Sequence, residues 1–158
     1  MKKTFLFLAI FTNVLLFGQK EPVSKKEIVV PIEVKQAFEK EFSNQTPSWQ
    51  MEYRGDDADQ MIYETQVFFE KRDAVVFYDK LGNLTAVEVE IHNRELPTGA
   101  LNYIEKNYPN RSIYKAVKIY KNNKATISFE VGIRDNDKLA DLVFDSTGYF
   151  LTRVEKTN

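Results

Sequence analysis

The chain has 158 residues, with 22 Lys and Arg against 23 Asp and Glu, one histidine, one tryptophan and no cysteine. Without cysteine there is no disulfide framework, thiolate nucleophile, zinc–cysteine site or lipid-bearing thiol. A near-neutral balance with no basic cluster argues against nucleic acid as a partner, and the length suits one ordinary domain or two small modules sharing an interface.

Met1-Lys-Lys-Thr-Phe-Leu-Phe-Leu-Ala-Ile-Phe-Thr-Asn-Val-Leu-Leu-Phe-Gly18 has a basic start and an apolar run of secretory length. It reads as a signal peptide over residues 1–19, cleaved after Gly18 or Gln19. The run is broken by Thr12-Asn13 and is short for a membrane span, and no later segment is apolar enough to cross a bilayer. Export to the periplasm or the medium is the expectation, with no span left after cleavage. Removing Lys2 and Lys3 takes the formal charge from −1 to −3. Residues 20–28 are mostly polar and read as a flexible tether.

Structure begins at Val29-Val30-Pro31. Proline suits the start of a helix, and Val34, Ala37, Phe38 and Phe42 then share one helical face, which predicts a helix over Ile32–Phe42. Ser43-Asn-Gln-Thr-Pro47 stops it. Trp49, Met51 and Tyr53 alternate with Gln50, Glu52 and Arg54 as a half-buried strand, and Gly55-Asp-Asp-Ala-Asp59 is a turn. Met61 to Glu70 returns with Tyr63, Thr65, Val67 and Phe69 on one side. Phe68 breaks the polar pattern of the other. A hairpin follows, Ala74-Val-Val-Phe-Tyr-Asp-Lys-Leu-Gly82 and onward, whose second strand sends Val87, Val89 and Ile91 inward and Ala86, Glu88 and Glu90 outward.

The recipe then recurs. Pro97 opens a helix with Ala100, Leu101, Ile104 and Tyr108 on one face, followed by strands at Ser112–Tyr120, Lys124–Arg134, Lys138–Phe144 and Tyr149–Val154. Tyr78-Asp79-x-x-Gly82 is echoed by Phe144-Asp145-x-x-Gly148, 66 residues later, and the same shift carries Pro31 onto Pro97, Phe38 onto Ile104 and Phe42 onto Tyr108. Aspartate can bond the turn backbone while glycine adopts positive φ, so both motifs predict tight hairpins. The predicted fold is α+β: two tandem repeats, residues 29–95 and 96–158, each one helix followed by a four-stranded antiparallel sheet with the helix packed on one face.

A proline-led helix ending near an aromatic, a following Trp49 and the repeated aromatic-Asp-x-x-Gly hairpin, in tandem after a signal peptide, resemble the PepSY-like, β-lactamase-inhibitor-protein-like domains of exported bacterial proteins. The resemblance covers about Val30 to Val154. It implies two α+β repeats whose sheets together make a curved binding surface. The resemblance places none of the namesake's inhibitory loop residues on this sequence, and its cysteines are missing, so inhibition of β-lactamase is not implied.

Candidate chemistry is sparse. His92 closes a strand before Asn93-Arg94-Glu95 and reads as an exposed strand end, not as part of a triad or metal site. Asp56, Asp57, Asp59, Asp135 and Asp137 sit at hairpin tips. A calcium loop beginning at Asp57 would need glycine where Ile62 stands. Glu88 and Glu90 share a strand face, a spacing that alternation produces routinely. The reading is a non-enzymatic module with no catalytic residue, metal or cofactor. The alternative is a small periplasmic hydrolase or ligand-carrying protein, which needs a deep pocket with converging ionisable groups.

The richest surplus is on the second half. With Ile113, Val117, Ile119, Ile127, Phe129, Val131, Ile133, Phe150 and Val154 pointing inward, strict alternation turns Tyr114, Lys118, Tyr120, Ser128, Glu130, Tyr149, Leu151 and Arg153 outward. Tyrosines mixed with charges are what protein interfaces accumulate. The candidate binding residues are therefore Tyr114, Lys118, Tyr120, Glu130, Tyr149 and Arg153, facing an unknown protein or cell-envelope partner.

Overall fold

The computed structural model describes residues 28–54, 60–121, 124–135 and 138–156. The expected signal peptide, the tether up to residue 27, and the turn residues 55–59, 122–123 and 136–137 lie outside the described residues, as do the calcium candidates Asp56, Asp57, Asp59 and Asp137. The order is α1 (Ile32–Phe42), β1 (Gln50–Arg54), β2 (Gln60–Phe69), β3 (Arg72–Asp79) and β4 (Leu84–Glu90). A short 3-10 turn (Asn93–Glu95) then leads to α2 (Thr98–Asn107), β5 (Ile113–Lys121), β6 (Thr126–Asp135), β7 (Lys138–Asp145) and β8 (Phe150–Lys156). Pro31 and Pro97 each stand one residue before the helix they introduce.

The strands do not form two four-stranded sheets. They form one eight-stranded antiparallel sheet in the order β1 to β8, which corrects the architecture expected from the sequence. The join is the β4–β5 ladder, from Ala86 opposite Lys121 to Glu90 opposite Val117, extended by the Ile91 N–H donating to the Ala116 carbonyl at 2.9 Å. Two separate sheets would leave β4 and β5 as edges with unpaired backbone groups. Pairing them satisfies both, and puts Val87 opposite Tyr120, so that a residue of the second half completes the core of the first.

Both helices lie on the same face. Val34, Phe38 and Phe42 of α1 pack on Tyr63, Val67, Val76, Tyr78, Val87, Val89 and Tyr120, with Trp49 edge-on to Phe38 at 5.4 Å and to Tyr78 at 6.0 Å. Ala100 and Ile104 of α2 pack on Ala116, Phe129, Val131, Ile133, Ala140, Leu142 and Phe144. Tyr103 stacks on Phe150 at 4.4 Å. Each large side chain buried in this way contributes about 1.5–3 kcal/mol of transfer free energy.

The Asp-x-x-Gly turns seat the helices. Asp79 Oδ1 accepts the N–H groups of Leu81 (2.8 Å) and Asn83 (3.0 Å), and Asp145 Oδ1 accepts those of Thr147 (2.8 Å) and Tyr149 (2.9 Å). Gly82 and Gly148 adopt φ of 82° and 86°. A Cβ on Gly82 would stand 2.6 Å from the Glu33 carbonyl oxygen in α1, and one on Gly148 2.5 Å from the Ala100 backbone nitrogen in α2. Each turn is thus tucked under the first turn of a helix, and glycine is required by both conformation and contact.

Among the described residues the ladders shift register at three places. Thr85 is extra in β4 opposite Phe77 and Tyr78, Leu151 is extra in β8 opposite Val143 and Phe144, and Tyr114 is extra in β5 opposite Gly132 and Ile133. An extra residue reverses which side chains face the helices beyond it.

Two outcomes follow for stability. Gly82→Ala and Gly148→Ala should each cost about 2 kcal/mol or more in urea unfolding, because strain at positive φ adds to a backbone collision; an unchanged midpoint would mean that the turns do not carry the helices. Burial works to raise the Asp79 carboxyl, but the Asn83 side-chain amide and the Asn83 and Leu81 N–H groups outweigh it and hold the pKa below 3.8. The Thr147 hydroxyl and the Tyr149 N–H do the same for Asp145. A depressed carboxylate stabilises the fold above its unfolded pKa, and that contribution is lost as pH falls through the folded value. Thermal melts should therefore drop on acidification below about pH 4, and the Asp79→Asn, Asp145→Asn double variant should show a shallower drop from a lower starting midpoint.

Candidate functional site

With both helices on one side, the other face of the sheet is left to itself; among the described residues no helix packs on it. It nevertheless hides Ile62, Phe77, Ala86, Val117 and Ile119, with Val75 beside them, and Phe77 is 3 % exposed. Neighbours on the sheet must supply that cover. Alternation places Glu64, Gln66, Glu88, Lys115, Lys121 and Glu130 on the same face, and their aliphatic stems can lie over apolar residues while the heads stay wet. The bulges at Thr85, Tyr114 and Leu151 bend the strands that carry them. Phe68, 60 % exposed, stands on this face at the end of β2.

Toward β8 the face mixes polar groups with the partly exposed Leu139, Val143 and Val154. Tyr114 lies flat across Gly132, where a Cβ would come 2.6 Å from its Cζ. That explains a glycine in mid-strand, since its backbone is the bed for the ring. The Lys115 ammonium pairs with Glu130 at 3.2 Å. Asp141, only 3 % exposed, pairs with Lys156 at 2.6 Å, and this hydrogen bond raises the Lys156 pKa. Burial, then the nearby Asp141 carboxylate, raises that of Tyr114.

Between these regions Gln66, Asp73, Glu88, Glu90 and Lys115 line an open recess of about 310 Å³ floored by Val75 and Val117. Asp73, Glu88 and Glu90 thus share the recess with the Lys115 ammonium. His92 is exposed. Its backbone N–H donates to Glu95 Oε1 at 2.9 Å, a bond that holds the Glu95 carboxyl below its usual range, and Glu95 pairs with Arg72 at 2.7 Å. Among the described residues no three His, Asp or Glu side chains are grouped to hold a metal ion.

The six residues expected on one outward face are split. Tyr114 and Glu130 do lie on the helix-free face. Lys118 stands opposite Val89 and Phe129 on the helix side, its ammonium 4.5 Å from the Tyr120 ring. Tyr120 is core, 6 % exposed, and donates its hydroxyl to Glu70 Oε2 at 2.6 Å. That bond tethers a hairpin whose Glu70 and Lys71 both hold positive φ. Arg153, opposite Leu142, lies 5.5 Å from the Tyr108 ring on the helix side. Tyr149 is on a turn, 71 % exposed, beside a recess of about 450 Å³ lined by Gly99, Tyr103 and Phe150. Conversely Val117, Ile119 and Val154, expected inside, are on the helix-free face.

The bulges at Tyr114 and Leu151 are the cause of both exchanges. A single signal in the sequence marks the first of them: Gly132 inside a strand, which points to a bulge or a close approach. Phe68, the apolar residue that interrupts a polar face, marks the missed side. The assignment is checked by comparing two tyrosines in thermal or urea unfolding: Tyr120→Ala should cost about 3 kcal/mol, whereas Tyr149→Ala should stay within about 0.5 kcal/mol of the parent. Equal effects would contradict the split.

No family model matches the sequence, and no curated protein matches it. Solved structures are similar. A BLIP-like protein from Bacteroides fragilis aligns with a TM-score of 0.62 at 23 % identity, over 84 % of this chain and 91 % of that one. A DUF2874 family protein from Bacteroides uniformis aligns with a TM-score of 0.65 at 13 % identity, over 80 % and 90 %. A chain from Bacteroides eggerthii assigned to the periplasm aligns with a TM-score of 0.65 at 10 % identity, over 81 % and 90 %. The chain shares the fold of the BLIP-like proteins.

Proposed function

We propose that the protein is an exported, non-enzymatic binding module that docks a protein of the cell envelope on its helix-free sheet face. The observation that carries this reading is a sheet face with an apolar floor and no covering layer among the described residues. Phe68 and Tyr114 are its exposed aromatic anchors, Lys115 and Glu130 its orienting charges, and the Asp73 and Glu90 carboxylates at the recess accept a basic side chain of the partner. Large aromatics at such positions bury much area at small rotamer cost. The leader read from the sequence, and the periplasmic assignment of a chain of the same fold, support the location. We further propose that residues 29–95 and 96–158 are copies of one unit that share this face.

The test is capture of an envelope partner by immobilised protein, with variants compared on the captured species. Phe68→Ala and Tyr114→Ala should each weaken capture by about 30-fold, the equivalent of about 2 kcal/mol per anchor; Phe68→Ala should keep the parent's thermal midpoint, and circular dichroism checks that Tyr114→Ala, whose ring lies on Gly132, keeps its sheet. Glu90→Lys should weaken it further at low salt than at high salt. Tyr149→Ala should have no effect. Capture that survives both aromatic truncations, or that depends on Tyr149, contradicts the proposal.

A further inference from the structure

The outer edge of β8 has no strand paired to it among the described residues. Its exposed backbone carries an unusual charge order. Beyond the bulge at Leu151, the strand reads Thr152-Arg153-Val154-Glu155-Lys156, with Arg153 and Glu155 directed to the helix side and Val154 to the helix-free side. Val154 is 49 % exposed, and Arg153 Nη2 reaches Glu155 Oε1 at 2.7 Å within the strand.

We propose that β8 pairs with β8 of a second copy of this chain, antiparallel about a two-fold axis at Val154. Residues directly opposite each other in a ladder share a face, so only even register sums are allowed. An axis at Arg153 would set two guanidinium groups face to face, and one at Glu155 two carboxylates; like charges directly opposite are destabilising. The axis at Val154 sets Arg153 opposite Glu155 of the other copy twice, joins the two valines on the helix-free side, and places Thr152 opposite Lys156. The interface is then isologous, as closed dimers require. Edge charges ordinarily discourage pairing; among the possible self-pairings, these favour one register. The bulge at Leu151 limits the ladder to the five residues that follow it, so the dimer is weak and salt-sensitive.

Sedimentation equilibrium of the purified chain tests this, with circular dichroism confirming that each variant is folded. The parent should show a dimer fraction that grows with concentration up to about 1 mM and shrinks with added salt. Arg153→Glu and Glu155→Arg should each weaken self-association by about tenfold or more, and an equimolar mixture of the two should form a heterodimer, because every opposed pair is again of opposite sign. Val154→Lys, which disturbs no core contact, should also abolish pairing. A parent that stays monomeric at about 1 mM, a dimer indifferent to these changes, or a mixture that fails to associate would overturn the proposal.

Discussion

The ladder between β4 and β5 is the interaction on which the rest of the structure depends. An antiparallel pair fixes which side chains lie opposite each other, so once Val87 faces Tyr120 and Val89 faces Lys118, the helix side of the first half continues into the helix side of the second. Both helices are thereby committed to one face. The other face is continuous across all eight strands, and its only cover among the described residues comes from its own side chains. A surface of that breadth is a product of sheet continuity, not of any particular motif.

The two Asp-x-x-Gly turns complete the arrangement from the helix side. Each holds an aspartate oxygen against successive backbone N–H groups and presents a glycine to the first turn of a helix. The contact sets how closely each helix can approach the sheet, and the bulge three residues later, at Thr85 and Leu151, bends the strand that follows. Turn, helix seat and strand curl are therefore coupled. Strain at either glycine should be felt in the shape of the opposite face as well as in stability.

Much of this was legible in the sequence. The 3.6-residue spacing of Val34, Phe38 and Phe42 placed α1, and alternation placed Tyr63, Thr65 and Val67 on one side of β2, because each pattern had only one apolar solution. The β5 segment had two. Ile113, Val117 and Ile119 form one apolar set, and Ala116 and Tyr120 form part of another, so period two alone does not fix the phase, and the extra residue Tyr114 exchanges them. Strict alternation therefore puts Tyr120 on the surface, whereas it is core. Sheet continuity was equally invisible, since the pairing of β4 with β5 depends on backbone groups that every residue carries. Charged stems that shield an apolar floor leave no periodic trace either, as each of them reads simply as solvated.

The central claim is that the helix-free face is the one that meets a partner. The most direct measurement is methyl NMR of the labelled protein titrated with its captured partner. The account predicts shifts or broadening at Ile62, Val75, Val117 and Ile119, with Val34, Ile104 and Leu142 undisturbed. Perturbation concentrated on the residues of α1 and α2, with the helix-free methyls unchanged, would contradict it.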